Sequence, residues 1–343
     1  MRNLSRAALA TVAAAALVTG LTGPAHATGG GLPLTSFGAI AVDAGHKHVF
    51  LSGGTAANAI VVTDYSGHAL KTISGQYGAT GLVLSADGST LYTANAAGDA
   101  VSAIDTKTLT EKQRYATGAQ TCPTRLARTG TTIWFGYGCG SSWTGGIGSL
   151  DTSVTPPVVG LNQQGAVDFQ GAPLLSANGA ANGTLLAVQP QLSLSTVAVY
   201  ATTGATASLT ITGTVSGSNI TDGTLTPDDA QLFTAAGSRD GAAAFTATDL
   251  SGRGAYPTGR YPNAVAVAPD GSALAAGAYS TDKDVYLYRL GGATPTRTVE
   301  LGSGRILADR GLAFTPDGKV LFVVALSLTD PSPILLSLSR PLG

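Results

Sequence analysis

The stretch "DGSTLYTANAAGDAVSAIDTKTLT", Asp87–Thr110, decides the fold. It opens on an Asp-Gly turn and continues through two β-rich runs, Leu91–Asn95 and Asp99–Asp105, to a second turn at Thr106-Lys107-Thr108. One such run, Gly81–Ser85, precedes it, and another, Glu111–Ala116, follows. Short β-rich runs separated by turn residues are the signature of antiparallel strands. Asp suits these turns because its short side chain bonds to backbone two residues on, and Gly accepts the positive φ that the turn needs. The same order recurs in Asn263–Leu290, with Asp270-Gly271, and in Arg310–Leu338, with Asp317-Gly318.

Weaker copies fill the rest of the chain, so the unit repeats about seven times at a period of roughly 44 residues. Repetition at this period implies four-stranded sheets arranged radially around an axis, an all-β, seven-bladed β-propeller. The units fall at about 38–74, 75–118, 119–162, 163–215, 216–259, 260–302 and 303–343, the fourth lengthened by a link around Gln163–Gly171. Asp87–Thr110, together with "YPNAVAVAPDGSALAAG" (Tyr261–Gly277) and "RGLAFTPDGKVLFVVAL" (Arg310–Leu326), resembles the YVTN-type repeat of bacterial secreted propellers. The resemblance covers the second, sixth and seventh units well and implies the fold while leaving the activity open. The last unit has room for three strands only, ending at Ile334–Ser339. Leu32–Phe37 is spare, and the expected closure has this N-terminal strand completing the last blade, which removes exposed edges. The alternative is a ring closed by packing alone.

Residues 1–27 read as a signal peptide: Arg2 and Arg6, an apolar run Ala7–Leu21, a Gly23-Pro24 break, then Ala25-His26-Ala27. The run is short for a membrane span, so a single exported, extracellular domain over 28–343 is expected. Loss of Arg2 and Arg6 takes the net charge from −1 to −3. Without a basic stripe, nucleic-acid binding has no electrostatic footprint, and membrane insertion is not expected either. Glu111 and Glu300 are the only glutamates, and Asp-rich, Gly-rich composition favours turns over helices. Cys122 and Cys139 are the two cysteines; in an oxidising compartment they are expected to form a disulfide. In the chain-entropy model a loop of about 17 residues is worth about 3 kcal/mol.

In a propeller, the linkers between blades share one face with the turns between second and third strands. That face collects Tyr77, Trp143, Arg239, Asp240, Tyr261, Tyr279, Asp282, Arg305 and Asp309, with both cysteines. Aromatic platforms beside Arg and Asp suit a sugar ring or a protein surface. The catalytic inventory is thin. His46, His48 and His68 all lie in the first unit; His46 and His48 flank Lys47 on the opposite face, with no third metal ligand evident, and read as a solvated turn. No Ser-His-Asp set, His-Glu-x-x-His or phosphate-loop pattern occurs. Neither a metal nor a cofactor is expected. Trp134 and Tyr92 read as blade-packing aromatics. The expected function is a secreted, non-enzymatic propeller that binds a cell-surface glycan or an extracellular protein, within a larger secreted assembly. The alternatives are a carboxylate- or metal-dependent hydrolase or lyase at the axial mouth, and a scaffold that uses the blade rims.

Overall fold

The computed structural model describes residues 31–214, 217–280, 282–330 and 332–343. The leader read at 1–27 lies outside them. The described residues form seven antiparallel sheets, each with its strands in sequence order. The second runs Ala79–Leu84, Thr90–Asn95, Ala100–Asp105 and Thr110–Ala116, within a residue or two of the expected bounds. The last has three strands, Arg305–Phe314, Val320–Ser327 and Ile334–Ser339. The chain is thus an all-β, seven-bladed propeller. No helix among the described residues is long and apolar enough to cross a membrane.

The turns explain why the units close where they do. Asp87 Oδ1 accepts the Ser89 N–H at 3.1 Å and the Ser85 hydroxyl at 2.6 Å, while Ser85 Oγ accepts the Thr90 N–H at 3.0 Å. Thr315 and Asp317 repeat the arrangement, as do Thr226 and Asp228. Hydrogen bonds from Ser85 and Ser89 hold the Asp87 carboxyl down to about 2. Gly88, Gly271 and Gly318 take φ near 70° (71°, 71° and 68°), the conformation that a Cβ opposes.

Packing between blades closes the ring. Seven apolar clusters each join two neighbouring blades, for example Phe50, Ile60, Leu91 and Ile104 between the first and second. Trp134 is fully buried between the third and fourth blades, with Nε1 donating to Thr129 Oγ1 at 2.8 Å. Val167 and Phe169 from the long fourth link enter the same cluster. The seventh cluster joins last blade to first through Phe322, Val324, Leu335, Val49, Leu51 and Val61, and it includes Leu32 and Leu34. Leu32–Phe37 forms no strand; its tie to the last blade is the Leu32 N–H donated to Pro333 O at 2.8 Å, with Leu32 and Leu34 buried.

Candidate functional site

The inner strands of all seven blades line an axial channel that opens at two mouths. At the linker mouth the sorting of loops by face holds. The Tyr279 N–H bonds to Tyr261 O at 2.9 Å, and the Ala97 N–H to Tyr77 O at 3.2 Å, each joining a linker to a strand turn. Cys122 and Cys139, also on adjacent loops, form the disulfide. Asp99 supports it: its carboxylate accepts the N–H groups of Gln120 and Cys122, both at 2.8 Å.

Tyr261, Tyr279 and Asp309 line one cavity of about 410 Å³ with Asn219, Thr221 and Asn263. The other expected residues are not part of that cavity. Tyr77 sits under Arg114, whose guanidinium carbon lies 5.6 Å from the ring centroid. Arg114 in turn makes two hydrogen bonds to Glu111, at 2.9 and 2.8 Å. Burial works against the Glu111 charge, but Arg114 and Gln76 overcome it and hold the carboxyl below its usual value. Trp143 projects from its own loop, 62% exposed. Arg239, Asp240, Asp282 and Arg305 occupy further linker-face loops or strand ends without converging on that cavity. The nine residues therefore share a face, and three of them share a pocket.

The opposite mouth, among the Asp-Gly turns, holds a larger cavity of about 830 Å³, walled by five blades. Asp43, the last residue of the first inner strand, pairs across the hairpin with His48, so both side chains occupy one face of the sheet. The intervening turn, with Lys47 at φ 54°, brings His46 back onto Asp43, where Nδ1 lies 2.7 Å from Oδ2. The other carboxylate oxygen accepts the N–H of Gly45 at 2.8 Å and that of His46 at 3.2 Å. The two imidazoles stack with centroids 5.7 Å apart, and His48 Nδ1 is buried without a partner. Potential ligand atoms of Asp43, His46 and His48 all lie within 4.8 Å of one another. Donors on a tetrahedral ion with bonds of ~2.1 Å sit ~3.4 Å apart, so rotation of the side chains by roughly 1 Å forms the site. Asp43 is a candidate third ligand beside His46 and His48, in the spacing Asp-x-x-His-x-His, where the sequence reads as a solvated turn. It escaped notice because it stands where the turn's own aspartate is expected.

Asp99, Cys122 and Cys139 form a second group of this kind. Their sulfurs are bonded to each other, so this group offers no thiolate while the disulfide stands. Arg128 also lines the larger cavity. Its guanidinium donates to the carbonyls of Leu84 (3.0 Å), Gly130 (2.8 Å) and Gly179 (2.9 Å), with no carboxylate in ion-pair range among the described residues. Burial lowers its pKa.

Between the mouths the channel narrows to a cavity of about 290 Å³ that holds Arg125, Asp222 and Arg310. Burial drives the Arg125 pKa well down, and Arg310 adds repulsion. Burial also pushes Asp222 up to about 7, against hydrogen bonds from the N–H groups of Val265 and Gly223. Sequence reasoning missed this group. The usable signal was alignment: Arg125 and Asp222 stand where the best unit has Gly81, each after a threonine.

No protein-family model matches the chain, and no curated protein does. Among solved structures, it is similar to a chain of Kuenenia stuttgartiensis hydrazine synthase, with a TM-score of 0.67 and 16% identity, over 93% of this chain and 100% of that one. A likeness at this identity speaks for the fold, which that protein shares. The expectation of a chain without catalytic activity is corrected here. What overturns it is the presence of side-chain groups able to hold a metal ion, above all Asp43, His46 and His48, of which Asp43 and His46 line the larger cavity.

Proposed function

We propose that the turn mouth is the site of a metal-dependent hydrolase or lyase acting on an anionic substrate. The observation that carries this reading is the Asp43–His46–His48 group, of which Asp43 and His46 line the larger cavity. Two imidazoles and a carboxylate suit Zn²⁺ and comparable divalent ions, and Asp43, His46 and His48 would hold such an ion. A bound ion of this kind lowers the pKa of a water ligand toward neutrality and so supplies hydroxide. The protein's own part is positional. The Gly45 and His46 amides fix the Asp43 carboxylate, and Asp43 in turn orients the His46 ring through Nδ1. Arg128 places a positive charge on the wall of the same cavity.

Equilibrium dialysis of the purified protein against Zn²⁺, with Co²⁺ absorption as a second readout, tests the proposal. One ion per chain is expected, together with hydrolysis of an activated anionic ester that chelation abolishes and metal restores. No stoichiometric binding of either ion by the wild type would refute it.

A second reading rests on the linker mouth. The pocket of Tyr261, Tyr279 and Asp309 has the aromatic walls and acceptor that a sugar ring needs, and a glycan or extracellular protein held there would keep the chain beside its substrate. Export as a YVTN-type repeat protein, leader removed, is supported by the quoted motifs, by the apolar run Ala7–Leu21 and by the disulfide. Closure at the last blade by Leu32–Phe37, as a packed segment and not a fourth strand, is supported by the Leu32–Pro333 hydrogen bond.

A further inference from the structure

The channel waist contains more hydrogen-bond donors than the protein uses. A guanidinium carries five N–H donors. Arg125 reaches from the third blade to the first and donates to Gly38 O at 3.3 Å; Arg310 reaches from the seventh to the fifth and donates to Thr221 O at 3.1 Å. Those are their only hydrogen bonds to protein among the described residues. Neither forms an ion pair within 4 Å among the described residues; Asp222, the carboxylate in the same cavity, instead accepts the backbone N–H groups of Gly223 at 2.9 Å and Val265 at 2.8 Å. Asp309, whose charge also acts on Arg125, accepts from Asn263 at 3.2 Å and lines the separate linker-mouth pocket.

Two guanidiniums in a desolvated channel are costly, and the one carboxylate of Asp222, which attracts both, offsets only part of their charge. Arg310 is moreover held at φ 58°, in a bulge of its strand between Leu307 and Leu312, a conformation that a non-glycine residue adopts at a cost.

We infer that the channel waist is a binding site for a small oxyanion, held by the guanidiniums of Arg125 and Arg310. The geometry of a guanidinium fork matches two oxygens of a phosphate or carboxylate. The waist shares Leu126, Leu175 and Ser176 with the larger cavity, so an anion reaches it from the turn mouth, either free or as the end group of an organic molecule whose remainder stays in that cavity. Asp222 opposes the anion by charge and sets how tightly it is held. The inference stands whether or not the Asp43 group takes a metal.

The experiment is isothermal titration of the full mature chain, prepared free of phosphate and sulfate, with inorganic phosphate and separately with glycerol 3-phosphate. Both are expected to bind saturably at one site. Tighter binding of glycerol 3-phosphate identifies the end group of an organic ligand; equal or weaker binding identifies the free ion. The pair Arg125→Gln and Arg310→Gln should weaken either ligand by about tenfold or more. Asp222→Asn, which removes the charge and keeps one of the two backbone hydrogen bonds, should in the folded variant tighten it severalfold, the opposite of what loss of a purely structural residue would do. No saturable binding by the wild type, unchanged affinity in the folded double variant, or weaker binding in Asp222→Asn would each overturn the inference. Should the arginine pair fail to fold, the Asp222→Asn comparison decides alone.

Discussion

The same seven blades build both mouths of the channel, and the two mouths differ in what their loops spend on structure. At the linker mouth, polar groups mostly serve their neighbours. Asp99 caps the Gln120–Cys122 backbone, Glu111 holds Arg114, and Arg114 lies over the Tyr77 ring. What remains for a ligand is a pocket of three expected residues and a set of scattered aromatics. At the turn mouth most Asp-Gly loops are self-contained, yet the first one departs from the pattern and leaves His48 Nδ1 buried without a partner. The difference teaches that exposure and chemistry are separable in a propeller. The face richer in aromatic side chains is the better braced one, and the face of repetitive turns carries the group capable of binding a metal.

The comparison breaks first at His48. His48→Ala should weaken Zn²⁺ binding by about 100-fold or more, since one of three ligands is lost, and leave the linker-mouth pocket unaltered. Dialysis with the variant reads this directly; unchanged metal content would return the turn mouth to the status of a solvated loop. Next in size is the disulfide. Replacing both cysteines by serine should cost about 3 kcal/mol of unfolding free energy in the chain-entropy model, seen as a lower denaturant midpoint, while Zn²⁺ affinity at the other mouth stays as it was. A variant that lost metal along with stability would show that the mouths are not independent.

A third test uses pH. Asp284, at the linker end of the sixth blade, is buried; its Oδ2 accepts the Leu301 N–H at 2.8 Å and its Oδ1 has no partner. Burial, with the charges of Glu300 and Asp282 nearby, pushes its carboxyl up to about 6, from an ordinary 3.8. Between those values the folded chain holds a proton that the unfolded chain has released, so this group's contribution to stability falls as pH rises across the window and is flat above it. Asp284→Asn keeps an acceptor for Leu301 and abolishes the charge. It should match the wild type near pH 4 and exceed it by up to about 3 kcal/mol at pH 8, measured by urea unfolding at both values. Equal stability at both would place the wild-type charge in contact with solvent.

The architecture was legible because its determinants are local. An Asp-Gly turn, the hydroxyl two residues before the Asp, and the short runs on either side all fall within a single hairpin, as at Ser85–Thr90. The disulfide was legible for a related reason: the face rule puts both cysteines on adjacent loops. Sites formed by convergence were not. Arg125, Asp222 and Arg310 come from the third, fifth and seventh blades and meet only when the ring closes, and the units that supply Arg125 and Asp222 are among those in which the repeat is most eroded. The linker-face residues were sorted correctly by face and grouped too generously. A one-dimensional rule gives the end of the propeller but not the angle around it, which is why Tyr261, Tyr279 and Asp309 from neighbouring blades share a pocket while Tyr77 stands apart from them.

Trp143 gives the smallest expected effect. Its loop is anchored at both ends by backbone: the Gly138 N–H bonds to Thr121 O at 2.7 Å, and the Gly145 N–H to Phe169 O at 3.0 Å. A further bond from the Gly171 N–H reaches Ser142 O at 2.8 Å. None of these involves the indole, which is 62% exposed. Exposed side chains outside such networks change stability by no more than about 0.5 kcal/mol when truncated. Trp143→Ala should therefore leave the unfolding midpoint within that range. Retained stability together with weaker binding to a glycan array or to proteins co-purified from culture medium would assign the indole to recognition. Unchanged binding to a partner so identified would restrict the linker-mouth site to the Tyr261–Tyr279 pocket, where the aromatic rings already meet the Asp309 carboxylate and Trp143 adds nothing.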